Sequence, residues 1–167
     1  MALIIEDGTG VAGANSYIDV AAARAYAAAR GAVLPAVDIE VEQLLIKAMD
    51  FIEAFRSEFQ GLKSSASNPL QWPRVGVVLD GFPLGGDVIP QVLKDAQAQL
   101  AIDAQTTDLM PTGSGKEVVM EKVDVVQVQY AETGDTNPQP TFTKAEALLR
   151  PLLKGWAFGG SLRSTRV

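Results

Sequence analysis

The sequence predicts a mainly α protein: a small bundle of about four helices, a short β-strand or hairpin element, a long irregular loop and an extended C-terminal arm. Three observations carry that reading. Val41, Leu44, Leu45, Ala48, Ile52 and Phe55 recur at three- and four-residue steps, the stripe of an amphipathic helix. Residues 19–30 are rich in Ala, the strongest helix former. Residues 61–90 hold four Pro and five Gly with no sustained helical period, so they read as a loop long enough to be functional.

Leu3 to Ile5 reads as a short strand, closed by the turn-rich Glu6-Asp7-Gly8-Thr9-Gly10. The first helix starts behind Asp19 as N-cap and runs to Arg30, with Gly31 at the C′ position. The second starts at Asp38 as cap and ends at Gly61. Glu40 and Glu42 near its start and Arg56 near its end suit the macrodipole. The 61–90 loop centres on Leu70-Gln71-Trp72-Pro73-Arg74-Val75-Gly76-Val77. Trp72 and Phe82 either plug the bundle or, with Pro73 and Arg74, offer loop contacts to a partner.

The third helix has Pro90 at or near N1 and turns Val92, Leu93, Ala96, Leu100 and Ala104 towards a core. It ends between Thr106 and Leu109, before Met110-Pro111-Thr112-Gly113. The β-branched stretches Glu117–Val123 and Val125–Ala131 form one long strand kinked at Asp124, or two short strands. After a polar linker, a last helix runs from about Thr143 to Leu153, capped by Thr141 or Thr143. Pro151 forces an early end or a kink. This organisation divides the chain into a helical domain, residues 1–154, and an arm, residues 155–167.

Composition excludes several chemistries. The 167 residues include no His and no Cys. There is thus no thiol nucleophile, no disulfide, no zinc knuckle and no Ser-His-Asp triad, so neither an enzyme nor a metal or other cofactor is expected. No apolar stretch approaches the roughly 20 residues of a membrane span, and the acidic start is unlike a signal peptide; a soluble cytoplasmic protein is expected. Gly8-x-Gly10-x-x-Gly13 matches the dinucleotide fingerprint in letters, but no βαβ alternation follows it. Gly113-Ser114-Gly115-Lys116 is half a phosphate loop and reads as a turn. The pairs Asp95/Asp103 and Asp80/Asp87 have no basic partner at a tuned spacing and read as solvated surface.

Charge is more informative. Twenty acidic residues face 14 basic ones, for a net charge of −6. Residues 141–167 nevertheless carry +4, leaving −10 on the rest. The tail combines Trp156 and Phe158 with Arg163 and Arg166, the composition of a docking arm.

Several segments together resemble the tailed-bacteriophage head–tail adaptor (connector) family, whose members often carry the label DnaT-like single-stranded-DNA-binding protein. They are Asp7-Gly8-Thr9-Gly10 with Ala14-Asn15-Ser16-Tyr17, Ala48-Met49-Asp50-Phe51-Ile52, Gln71-Trp72-Pro73-Arg74, Asp80-Gly81-Phe82 and Ile89-Pro90. The helix with Lys94 and Ala96 and the segment Glu121-Lys122-Val123 also fit. The resemblance runs to about residue 153, and Asp124 departs from it where a Gly often follows Lys-Val.

The resemblance implies a structural virion protein that joins the portal protein to the tail or to a stopper or terminator protein. It implies a homo-oligomeric ring of about twelve copies at the virion neck, assembled in the host cytoplasm. DNA would pass through the lumen unbound along an acidic wall, and Trp156, Phe158, Arg163 and Arg166 would anchor the arm to the portal. The alternative is a single-stranded-DNA-binding protein of phage replication, which needs a basic groove with stacking aromatics. Lys63, Arg74, Trp72 and Phe82 are the candidates for such a patch.

Overall fold

A computed structural model describes residues 2–111, 120–123, 126–129 and 142–155. Four helices form the body, as the periodicity predicts. Helix α1 is Val20–Ala28. The Asp19 carboxylate accepts from the Ala22 N–H at 2.7 Å, capping it as expected. At its end Ala32 N–H reaches Ala27 O and Gly31 N–H reaches Ala28 O, a Schellman closure with Gly31 at φ +70°.

Helix α2 is Asp38–Ala54, and Val41, Leu44, Leu45, Ala48, Met49, Phe51 and Ile52 are its buried side. Asp38 does not cap it. Val37 is the N-cap, without a side-chain bond, and the Asp38 carboxylate pairs with Arg24 instead. Arg24 also donates to Pro35 O and Ala36 O, so it pins the α1–α2 connection. The helix stops at Ala54, well before Gly61. Arg56 therefore lies beyond the helix and not in its last turn.

The 61–90 loop is more ordered than its composition suggests. Strand β1, Leu62–Lys63, pairs antiparallel with β2, Arg74–Val75, in the register Leu62↔Val75 and Lys63↔Arg74. Strand β3, Val78–Leu79, pairs with β4, Phe82–Pro83, around Asp80-Gly81. Both turn residues have positive φ, +53° and +86°, as a tight two-residue hairpin turn requires. Gly61 serves the ribbon and not the helix. A Cβ there would lie 2.2 Å from Val75 O.

Helix α3, Gln91–Asp103, is the centre of the bundle and packs on α1, α2 and the last helix. Its buried side includes Leu93, Ala96, Gln97, Ala98, Leu100 and Ala101. Pro90 is its N-cap, one position earlier than N1. Strands β5, Met120–Val123, and β6, Val126–Gln129, pair antiparallel, which selects two short strands over one kinked strand. Helix α4 is Thr143–Leu149, and at Pro151 it tightens into a 3₁₀ turn, Arg150–Leu152. Thr143 is the first residue of the helix and not its cap, and Thr141 lies outside the described residues. Phe142 is the N-cap, and its N–H donates to the Glu146 carboxylate at 3.4 Å.

One buried polar network joins these parts. Gln97 accepts from the Tyr17 N–H at 2.9 Å and donates to Ser16 Oγ at 2.8 Å and to Leu45 O at 3.0 Å. The Tyr17 hydroxyl donates to Glu53 Oε1 at 3.2 Å and accepts from the Trp72 N–H at 3.1 Å. The same Glu53 oxygen accepts from the Gln71 N–H at 3.0 Å. Burial, and then the Glu53 charge, push the Tyr17 phenol well above its ordinary 10.0.

That shift has a sign. The folded phenol holds its proton where the unfolded one has lost it, so its contribution is complete below about pH 10 and is lost above. Urea unfolding should therefore show stability falling as pH rises past about 10. Tyr17→Phe should cost about 1–3 kcal/mol at neutral pH, because the Trp72 N–H loses its acceptor. It should also flatten that alkaline decline.

Candidate functional site

The glycine-rich N-terminal loop binds its own chain. Glu6 is buried, and its carboxylate accepts from Gly8 N–H at 2.9 Å, Gly10 N–H at 2.8 Å and Val11 N–H at 2.9 Å. Gly8, Gly10 and Gly13 all have positive φ, so the loop curls its amides inward around that one acid. It has no side chains to spare for a nucleotide: a Cβ on Gly8 would lie 1.8 Å from Asp87 O, and one on Gly10 would lie 2.5 Å from Asn68 Oδ1. The half phosphate loop at residues 113–116 lies outside the described residues.

The four loop candidates divide. Trp72 is fully buried against the edge of Phe59, with ring centroids 5.8 Å apart, and Pro73 is buried beside it. Arg74 is also buried. Its guanidinium donates to Gln60 O at 2.7 Å, to Gly61 O at 2.9 Å, and to Gln71 O and Oε1 at 3.3 and 3.1 Å. Burial pushes its pKa down from the ordinary guanidinium range. These three residues build the ribbon layer and are closed to a ligand. Phe82 is the exception. It stands 75% exposed on the β3–β4 hairpin.

Around Gln60 the structure gathers segments that the sequence keeps about 90 residues apart. Gln60 N–H donates to Leu152 O at 2.9 Å, and its side-chain amide donates to Pro151 O at 2.7 Å. Lys154 donates its N–H to Glu58 O at 2.7 Å and its ammonium to Ser57 O at 2.9 Å. Phe59 forms a bridge with Leu153, and β3 packs against the 3₁₀ turn. Segments 55–64 and 142–155 thus form one end of the molecule. Between them they carry Arg56, Lys63, Lys144, Arg150 and Lys154 against Glu58 and Glu146.

Leu62, 73% exposed, and Val75 face each other across the β1–β2 pair, and Val78 is exposed on the same hairpin as Phe82. Sequence reasoning found Lys63 and Phe82 but missed Leu62 and the joining of residues 57–60 to residues 151–154. The Asp80-Gly81 dipeptide was the available signal for a hairpin that lifts Phe82 into solvent.

The arm candidates Trp156, Phe158, Arg163 and Arg166 lie outside the described residues, as does any fold boundary at 154/155 that depends on them. Asp95 and Asp103 accept from the amides of Gln91 and Gln99 and remain ordinary helix-surface pairs. Among the described residues no cluster of acidic side chains is arranged to hold a metal ion. No described helix is long and apolar enough to cross a membrane.

The whole chain, residues 1–167, matches the family described as "Putative DnaT-like ssDNA binding protein". No curated protein and no solved structure matches it. The family match corrects the expectation of a structural head-to-tail adaptor of the virion, together with the connector, neck, portal-binding and DNA-channel roles attached to it. It agrees instead with the single-stranded-DNA alternative. The physical reason the acidic balance misleads is that −6 is an average. Segments 55–64 and 142–155 carry five basic residues and only two of the 20 acidic ones; the other 18 acids lie elsewhere in the sequence.

Burial separates the scaffold from the surface in a measurable way. Arg74→Lys should lower the unfolding free energy by about 1–3 kcal/mol in urea, since an ammonium cannot span these carbonyls in one plane. Phe82→Ala should leave it within about 0.5 kcal/mol.

Proposed function

Because the chain belongs to the DnaT-like ssDNA binding protein family, we propose that it binds single-stranded DNA through the basic end around Gln60. The observation that carries this reading is that residues 57–60 are bonded to residues 151–154, which brings the segments of Arg56, Arg150 and Lys154 together, while β3 of the hairpin that exposes Phe82 packs against the same 3₁₀ turn. Cations supply attraction to phosphates, and an exposed ring supplies a face on which any base can stack. This combination favours a single strand, whose unpaired bases are open to stacking. It offers no array of donors and acceptors for reading base identity. The arm continues the same composition from Gly155 with Trp156, Phe158, Arg163 and Arg166. The role is binding without chemistry, in keeping with a chain that has neither His nor Cys.

Fluorescence anisotropy with a labelled oligo(dT) tests the reading. At low salt the protein should bind with micromolar affinity, and log K should fall with log salt by about 0.7 for each phosphate contacted. Phe82→Ala should weaken binding by about 5- to 100-fold, the effect of one lost stack. Lys154→Glu should flatten the salt dependence, whereas Glu42→Lys at the opposite end of α2 should not. Absence of binding at low salt would overturn the proposal.

A further inference from the structure

The chain contains two Asp-Gly dipeptides, Asp7-Gly8 and Asp80-Gly81, and the fold holds them very differently. The dipeptide is reactive because glycine has no Cβ to shield its backbone nitrogen from the aspartyl carboxyl just before it. At the first site both reacting groups are held. The Gly8 N–H donates to the buried Glu6 carboxylate at 2.9 Å. Asp7 Oδ1 accepts from the Thr9 hydroxyl at 2.6 Å and from the Thr9 N–H at 3.0 Å. Those bonds hold the Asp7 carboxyl below the ordinary carboxylate range, in its charged form, which is the poorer electrophile. Gly8 is also packed on Asp87 O, which a Cβ there would meet at 1.8 Å.

The second site has none of these restraints. Asp80 and Gly81 form the exposed tip of the β3–β4 hairpin. No described residue bonds the Asp80 carboxylate or the Gly81 N–H. A Cβ on Gly81 would meet nothing within 4 Å, so the tip has room to move. Asp80 has φ +53°, a left-handed conformation that L side chains rarely adopt. The strands behind it have two residues each, and so short a pair opens at little cost. The asparagines offer no equal site. Asn68 and Asn137 each precede a Pro, which has no N–H. Asn15 Oδ1 is held by the Ile4 N–H at 2.8 Å, and the Ser16 N–H donates to Ile4 O at 3.2 Å.

We propose that Asp80-Gly81 is a self-modification site, at which the folded chain converts Asp80 to isoaspartate. The Gly81 nitrogen bonds to the Asp80 side-chain carboxyl carbon, and the hydroxyl of that carboxyl leaves with the amide proton as water. The product is a cyclic imide, to which water then adds back. Cleavage of the new bond restores Asp80. Cleavage of the original peptide bond leaves Gly81 joined through the side chain, with the α-carboxyl free. Mass and oxidation state are unchanged, and the backbone gains one carbon atom. A turn lengthened in this way no longer fits the register Val78↔Pro83 and Leu79↔Phe82, so the hairpin that displays Phe82 changes shape. The reaction stands on the geometry of the two sites and not on the DNA reading.

Ageing the native wild-type protein in warm, mildly acidic buffer tests it. Peptide mapping and labelling by an isoaspartate-specific methyltransferase locate the product, which keeps its mass and resists a protease that cuts beside Asp. Isomerisation at Asp80 should outpace that at Asp7 by at least about tenfold, because protection follows the cost of local opening. In guanidinium the two rates should converge, since the restraints on Asp7 exist only in the folded chain. Gly81→Ala, shown by circular dichroism to fold, should slow the reaction at Asp80 and leave Asp7 unchanged. An aged native protein with Asp80 intact overturns the proposal, as do equal rates at the two sites before unfolding. So does a gap that persists in guanidinium, or a folded Gly81→Ala variant that reacts like wild type. The wild-type comparison is decisive even where the variant fails to fold.

Discussion

The Tyr17 hydroxyl is the point on which the rest of the structure depends. It lies between Glu53 on α2 and the Trp72 backbone, while its own amide is held by Gln97 on α3. Three regions distant in sequence thus share one buried tyrosine. A buried polar group without partners costs about twice what a formed bond contributes, so this network specifies one arrangement more than it adds raw stability. It sets the N-terminal segment in the groove between α2 and α3. It also anchors the start of the ribbon layer at Gln71 and Trp72. Arg74 then fixes the ribbon to Gln60, and Gln60 fixes it to the C-terminal turn. The placement of Phe82 and of the basic side chains follows from that sequence of attachments.

Most of the helical fold was legible because its signals are local. The stripe from Val41 to Ile52, the Asp19 cap and the Gly31 stop each act within a turn or two. Asp38 shows where local reading ends. It has the chemistry of a cap, but Arg24 competes for its carboxylate from another helix. Gly61 and Pro151 were legible as breaks. Only the three-dimensional neighbours reveal that one allows a close ribbon approach and the other tightens a helix into a 3₁₀ turn.

The candidate site was half legible. Trp72, Pro73 and Arg74 are consecutive and Phe82 lies eight residues further on, and nothing in their identities separates the buried three from the exposed one. The separation comes from Phe59, Gln60 and Gly61, which surround the first three. The basic end was invisible because its charges come from two segments that are joined across about 90 residues of sequence by the bonds of Gln60 and Lys154 and the Phe59–Leu153 bridge. Net charge averages over the surface and discards this segregation, whereas a polyanion responds to the local field.

The buried Glu6 carries a more general consequence. The N-terminal loop has the curled backbone and convergent amides of an anion receptor, with its glycines where such a receptor would need them. The chain supplies the anion itself, as a side chain two to five residues away from the amides that hold it. Because that guest is tethered, its effective concentration exceeds what a free phosphate reaches in solution, and the receptor stays filled. A motif that elsewhere advertises a cofactor has here become a covalently self-ligated clasp, closing the N-terminal segment onto the body through Asn68 and Asp87.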